Sequence, residues 1–177
     1  MYLPGHLAAG FLAVGARSLM TGRTMDVRCQ LWPALVGALT PDIIDKPLDV
    51  VGITAYSRGP GHSVFLLMGL WLWWRGLRRR GSRWATPVGW WIVGIGTHLG
   101  VDLINDMMRG LEQRGFFYAG WPFWPLSDYG SHRILWEIGK HIQVHRTFSS
   151  LEVGTMAAAV AVGWAMRVQM KRREVIQ

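Results

Sequence analysis

The sequence predicts an all-α fold, a polytopic membrane helical bundle of about five apolar segments with a long outer loop and amphipathic segment. Three observations predict it. Half of the 177 residues are hydrophobic and eleven are Trp, an excess that suits aromatic belts at membrane–water interfaces. The apolar residues gather into five runs, and the basic residues cluster beside those runs. The chain reads as a single integral-membrane domain over 1–177, without an internal repeat, a low-complexity tract or a disordered linker. The net charge of +8 forms no basic stripe with recognition motifs, so no nucleic acid is expected as a partner. The single cysteine, Cys29, excludes an intramolecular disulfide and the common Cys-rich zinc frameworks.

Segment one is Pro4 to Met20, and segment two runs from Leu31 to about Ile44, with Pro33 near its start and Pro41 near its end. Segment three is Ser63 to Leu77, segment four Pro87 to Asp106 and segment five Leu151 to Met170. A crossing takes about 20 residues at about 1.5 Å each. Segments four and five reach that length. The first three fall short, and either tilt little, thin the bilayer or pack centrally; segment two is also compatible with a re-entrant or interfacial piece. Within segment four, Gly89, Gly94, Gly96 and Gly100 read as small residues that let helices approach closely. The outer stretch 109–150 carries G-W-P-F-W-P-L at 120–126, an interfacial anchor or a substrate-facing wall. It also carries His141 and His145, four residues apart, which read as a surface or interfacial pair.

Charge orients the segments. Arg78, Arg79, Arg80 and Arg83 follow segment three, and Lys171, Arg172 and Arg173 follow segment five. The positive-inside rule places both stretches in the cytoplasm. Five crossings then put the N-terminus outside, the C-terminus inside, and the loop with Arg17, Arg23 and Arg28 inside as well. The expected location is the inner (cell) membrane.

Six polar residues stand where apolar surroundings should exclude them: His6 in G-H-L-A-A-G, Asp42 and Asp45 in P-D-I-I-D, His62 in G-P-G-H-S, and His98 and Asp102 in G-T-H-L-G-V-D. Carboxylates are costly in low dielectric unless paired or bound to a cation, and imidazole with carboxylate is a donor set that divalent metals take. The topology above sends all six toward the same outer face. His98 and Asp102, four apart, share one helical face, and Asp42 and Asp45, three apart after a proline, can point together. Each has an ordinary alternative, such as a hydrogen-bonded buried pair or a helix cap. Their common side favours a site for one or two divalent ions, most readily zinc.

In this order, G-H-L-A-A-G, P-D-I-I-D, R-G-P-G-H-S, G-T-H-L-G-V-D and W-P-F-W-P resemble the YdjM-like family of membrane-bound metal-dependent hydrolases, also described as LexA-binding inner-membrane proteins. The resemblance covers residues 5 to about 126. It implies a divalent-metal centre with His6, Asp42, Asp45, His62, His98 and Asp102 at the matching positions. The chain departs from the family pattern at three points: Ser57 stands where the family has His before Arg-Gly, Gly61 replaces the Thr before His62, and the acidic pair is one residue wider. Asp49, Asp106 and His132 are the nearby residues able to replace a missing ligand or proton-transfer group.

The expected activity is hydrolysis of a phosphoester in a lipid or lipid-linked substrate by a metal-activated water, with Asp45 taking the water's proton and Arg58 meeting the phosphate. The competing expectation is a non-enzymatic membrane protein, either an ion or metal transporter or a partner-binding module, because intramembrane ionisable groups also mark ion pathways. No Walker loop, no G-x-S-x-G elbow and no dinucleotide fingerprint is present.

Overall fold

Proline and glycine punctuation sets the element boundaries in the computed structural model, which describes residues 3–53, 58–112, Pro125 and 150–176. Helix α1 is Leu3–Thr21, with Pro4 in its first turn, where a missing amide costs nothing. It stops at Gly22, whose φ of 65° an L side chain would resist. A π-helical turn, Val27–Leu31, is capped by the Asp26 carboxylate, which accepts from the amides of Arg28 and Cys29 at 2.9 Å each. Those amides, Cys29 foremost, hold Asp26 below the usual carboxylate range. Helix α2 is Trp32–Val50; it extends past the expected end near Ile44 and passes through both Pro41 and Pro47.

A 3-10 turn, Pro60–His62, leads into α3, Val64–Arg79, whose N-cap Ser63 accepts from the Phe65 amide. Gly81, at φ 63°, opens the short connection to α4, Ala85–Glu112. Helix α5 is Ser150–Ile176. The described residues contain five α-helices and no strand. The W-P-F-W-P run other than Pro125, together with Ser57, His132, His141 and His145, lies outside the described residues.

The centre of the molecule is the contact between α2 and α4. A Cβ on Gly37 would strike the Trp91 carbonyl, and one on Gly94 would strike the Ala34 carbonyl. Two backbones therefore meet there without intervening side chains, beside the fully buried Ala34 and Ala38. Trp91 Nε1 donates to Thr40 Oγ1 at 2.9 Å across the same contact. Gly89 also serves close packing, since it lies beneath the Trp74 indole, whereas Gly96 and Gly100 face open space. Helix α5 covers α1, with Val162 and Met166 against Gly15.

Contacts at the two ends of the bundle give the helix directions. His6 near the start of α1 meets Asp102 late in α4, while Arg17 near the end of α1 lies over Trp90 early in α4. Helices α1 and α4 are therefore antiparallel. His62 before α3 reaches His98, while Trp74 toward the end of α3 bonds Ala85, so α3 and α4 are antiparallel as well.

Polar side chains share the interior with Val14, Ile95 and Leu99, and many large apolar ones lie on the surface. His6, Asp45, His62, His98, Asp102 and Asn105 are buried, while Met20, Val36, Ile43, Leu72, Trp73, Val160 and Trp164 face outward. No helix among the described residues is long and apolar enough to cross a membrane. Helix α2 carries Asp42, Asp45, Lys46 and Asp49 in its second half, and His98 and Asp102 interrupt the apolar run of α4.

Candidate metal centre

The predicted residues gather where the end of α2, the 3-10 turn and the middle of α4 meet the start of α1. Five of the six form two overlapping groups, His6–His98–Asp102 and Asp42–His62–His98, each with ligand atoms within 4.8 Å of one another. Either group could hold a metal ion. His98 belongs to both.

Local structure explains each orientation. His98 projects from α4 toward α2, and its Nδ1 lies 2.7 Å from the Ala38 carbonyl oxygen. A carbonyl only accepts, so Nδ1 carries the proton and the Nε2 lone pair is left pointing into the cluster. His62 is fixed the same way by a carboxylate: its Nδ1 lies 2.7 Å from Asp45 Oδ2. That contact also makes Nδ1 the donor and turns Nε2 toward the cluster. The two Nε2 atoms face each other at 3.0 Å. Two lone pairs at that distance repel unless they share a cation, either a proton or a metal ion.

Carboxylates surround this nitrogen pair. Asp102 Oδ2 lies 3.5 Å from His62 Nε2 and 3.8 Å from His98 Nε2, and Oδ1 lies 3.5 Å from His6 Nε2. Asp42 presents Oδ1 to His98 Nε2 at 3.9 Å, while its Oδ2 is held by Lys46 at 2.7 Å. The His6 ring stacks on His98 with centroids 3.7 Å apart, and its buried Nδ1 has no hydrogen-bond partner among the described residues. Arg58, partly exposed, reaches Asp102 Oδ2 at 3.2 Å. Burial disfavours a charged His62, but the Asp102 and Asp45 carboxylates outweigh it and hold this imidazole above its ordinary value.

Asp45 is placed differently from the ligand and proton acceptor expected of it. It is fully buried, and its oxygens accept from the amides of Gly59, Gly61 and His62 as well as from His62 Nδ1. Three of these donors share Oδ2 and the fourth, the Gly61 amide, is on Oδ1, and Asp45 belongs to neither group of candidate ligands. What it does is fold the 59–62 turn and set the His62 tautomer. Gly61 is part of the same fit, because a Cβ there would come within 2.7 Å of the Pro41 carbonyl.

Two buried polar groups were missed in the sequence. One is the Ala38 carbonyl, for which no residue type gives a signal. The other is Asn105, buried with its Nδ2 unpartnered among the described residues. Its position three residues after Asp102 puts it on the same helical face and was a usable signal.

The donor set fits a divalent ion. Imidazole Nε2 lone pairs, each fixed by an acceptor behind the ring, converge with two carboxylates, which is how proteins orient metal-ligating histidines. The comparisons with known proteins bear on the family. No curated protein and no solved structure matches the chain. The family model described as YdjM inner membrane protein matches residues 1–175, and the chain belongs to that family.

Proposed function

We propose that this chain is a membrane-embedded, metal-dependent hydrolase acting on a phosphoester of a lipid or lipid-linked substrate. The observation that carries the reading is the facing pair of Nε2 atoms on His62 and His98, 3.0 Å apart with both Nδ1 protons committed elsewhere. Family membership and the large apolar side chains on the surface around buried polar ones support a bilayer setting. In this reading the helices cross the inner membrane, N-terminus outside, and the cluster opens toward the outer leaflet.

The residues divide the work. His62, His98 and Asp102 would hold the ion, zinc by preference, with Asp42 or His6 completing the set. His98 offers one lone pair, so it serves one ion at a time. Such an ion, with one position open, supplies a water whose pKa falls to about 7. Asp45 and the Ala38 carbonyl keep the two imidazoles in the ligating tautomer. Arg58, partly exposed and already paired to Asp102, is placed to bind a phosphoryl oxygen and to orient the ester bond. Asp42 has one oxygen on Lys46 and one toward the cluster, so it is the carboxylate able to take a proton in place of Asp45.

The test is the metal content of detergent-purified protein together with hydrolysis of a chromogenic phosphodiester. Wild type should carry close to one zinc per chain and hydrolyse the ester. His98→Ala should lose both while keeping its helix content. Metal bound without any hydrolysis would move the protein to the transport or partner-binding class, and metal-free wild type that resists reconstitution would end the reading.

A further inference from the structure

The opposite end of the bundle holds a second, chemically distinct cleft. It is about 640 Å³ and lies between α1, α3 and α4, with walls that include Trp71, Trp74, Trp90 and Ile92 and two cations, Arg17 and Arg78. It is separate from the metal cluster: its lining on α4 runs from Ala85 to Val93 and ends five residues before His98, about 8 Å of helix rise. Among the described residues no acidic side chain lines it. Among the described residues Arg17 and Arg78 have no carboxylate partner and stack on indoles instead, Arg17 over Trp90 at 5.6 Å and Arg78 over Trp74 at 5.5 Å. A guanidinium stacked on a ring keeps its N–H edge free in the plane of the fork, the edge that grips phosphate. The wall is fixed: Trp74 Nε1 donates to the Ala85 carbonyl at 2.8 Å, and Gly89 leaves room for the indole.

We propose that this cleft binds the headgroup phosphate of an anionic glycerophospholipid, with the acyl chains leaving over the exposed faces of Trp71 and Val93. Two unneutralised guanidiniums select negative charge. The aromatic and aliphatic wall is of no use to free phosphate but suits the glycerol and the first methylenes of a lipid. The volume is that of a small-molecule site. The outward Trp71, Leu72, Trp73 and Val93 continue the apolar surface beyond the cleft. This site does not depend on the hydrolase reading.

The experiment is calorimetric titration of the full chain in neutral detergent, in a His98→Ala background so that binding at the metal centre does not contribute. The probes are dihexanoyl phosphatidylglycerol, dihexanoyl phosphatidylcholine and inorganic phosphate. Phosphatidylglycerol should bind about tenfold or more tighter than phosphatidylcholine, and phosphate alone should bind more weakly than either lipid. Arg17→Gln with Arg78→Gln should bring phosphatidylglycerol down to the phosphatidylcholine level. Arg79→Gln with Arg80→Gln, removing equal charge outside the cleft, should leave it within about twofold. Arg17→Lys with Arg78→Lys, which keeps the charge but loses the fork, should fall between. Equal binding of the two lipids, or an equal loss in the Arg79/Arg80 pair, would overturn the site in favour of a diffuse basic belt. Phosphate binding as tightly as the lipid would overturn it in favour of a soluble anion. Unchanged helix content by circular dichroism is the control for folding.

Discussion

At the scale of single residues, Asp45 fixes the His62 side of the candidate centre. Its carboxylate accepts four hydrogen bonds, three from the backbone of the 59–62 turn and one from His62 Nδ1. Asp45→Asn keeps the shape but turns an NH2 group toward backbone donors, and one buried donor then goes unpaired, costing about 1–3 kcal/mol. The same change loosens His62, so metal affinity should drop by about 10- to 100-fold, read by metal titration alongside thermal melting. Asp42→Asn, which leaves the turn intact, should melt close to wild type; equal destabilisation by the two substitutions would contradict the division of roles. A second expectation concerns pH. Because the metal-free His62 is held above its ordinary value of 6.5, its protonated form contributes stability fully below about pH 6.5, and that contribution disappears as pH rises through the raised value. Metal needs the neutral ring, so zinc should raise the melting temperature more at pH 8 than at pH 6. A zinc shift of the same size at both values would contradict proton–metal competition at this imidazole. The pairing of His98 with Asp102 was legible because their four-residue spacing alone puts them on one face. The role of Asp45 was not, since it depends on a turn 14 to 17 residues away folding back onto it.

At the scale of helices, everything around the centre depends on how closely α2 and α4 approach, and two glycines set that approach. Gly37→Ala or Gly94→Ala would push a methyl into a backbone carbonyl, which cannot rotate away as a side chain would. Each should cost about 1–3 kcal/mol and shift the Ala38 carbonyl relative to His98, so zinc binding should weaken along with the melting temperature. Gly96→Ala, in the same helix with open space around it, should melt at or above wild type because alanine favours helix by up to about 1 kcal/mol. If Gly96→Ala were as damaging as Gly94→Ala, helix packing would not be the cause. Gly61→Thr gives this chain the residue common at that place in the family pattern, yet its Cβ would meet the Pro41 carbonyl at 2.7 Å. It should therefore displace the turn and lower zinc occupancy. The glycines of segment four were legible as packing residues, but only contacts with α2 and α3 separate Gly94 and Gly89 from the idle Gly96 and Gly100. The length of α2 was hidden because Pro41 marked the expected end of segment two, whereas the helix passes through both Pro41 and Pro47.

At the scale of the molecule, the two ends of the bundle differ in chemistry. One end carries the His/Asp cluster, and the other carries Arg17, Arg78 and the connection with Arg79, Arg80 and Arg83. The antiparallel runs of α1 against α4 and of α3 against α4 produce this segregation, since residues at alternate helix ends land together. It was legible in the order of the charges because helix direction alternates in a short-looped bundle, whatever the exact helix boundaries. It also supplies the physical reason for an orientation: the end that gathers Arg17, Arg78, Arg79, Arg80 and Arg83 is the one the positive-inside rule retains on the cytoplasmic side. The N-terminus is accordingly expected outside and the C-terminus inside, with the metal centre toward the outer leaflet. Cysteine labelling in intact cells checks this, in a Cys29→Ser background with Ser82→Cys in the α3–α4 connection or Ser131→Cys in the 109–150 stretch. A membrane-impermeant maleimide should label position 131 in intact cells and position 82 only after permeabilisation. The reverse pattern would invert the orientation, and labelling of both positions in intact cells would mean that the helix pair α3–α4 does not bring its basic connection across the bilayer.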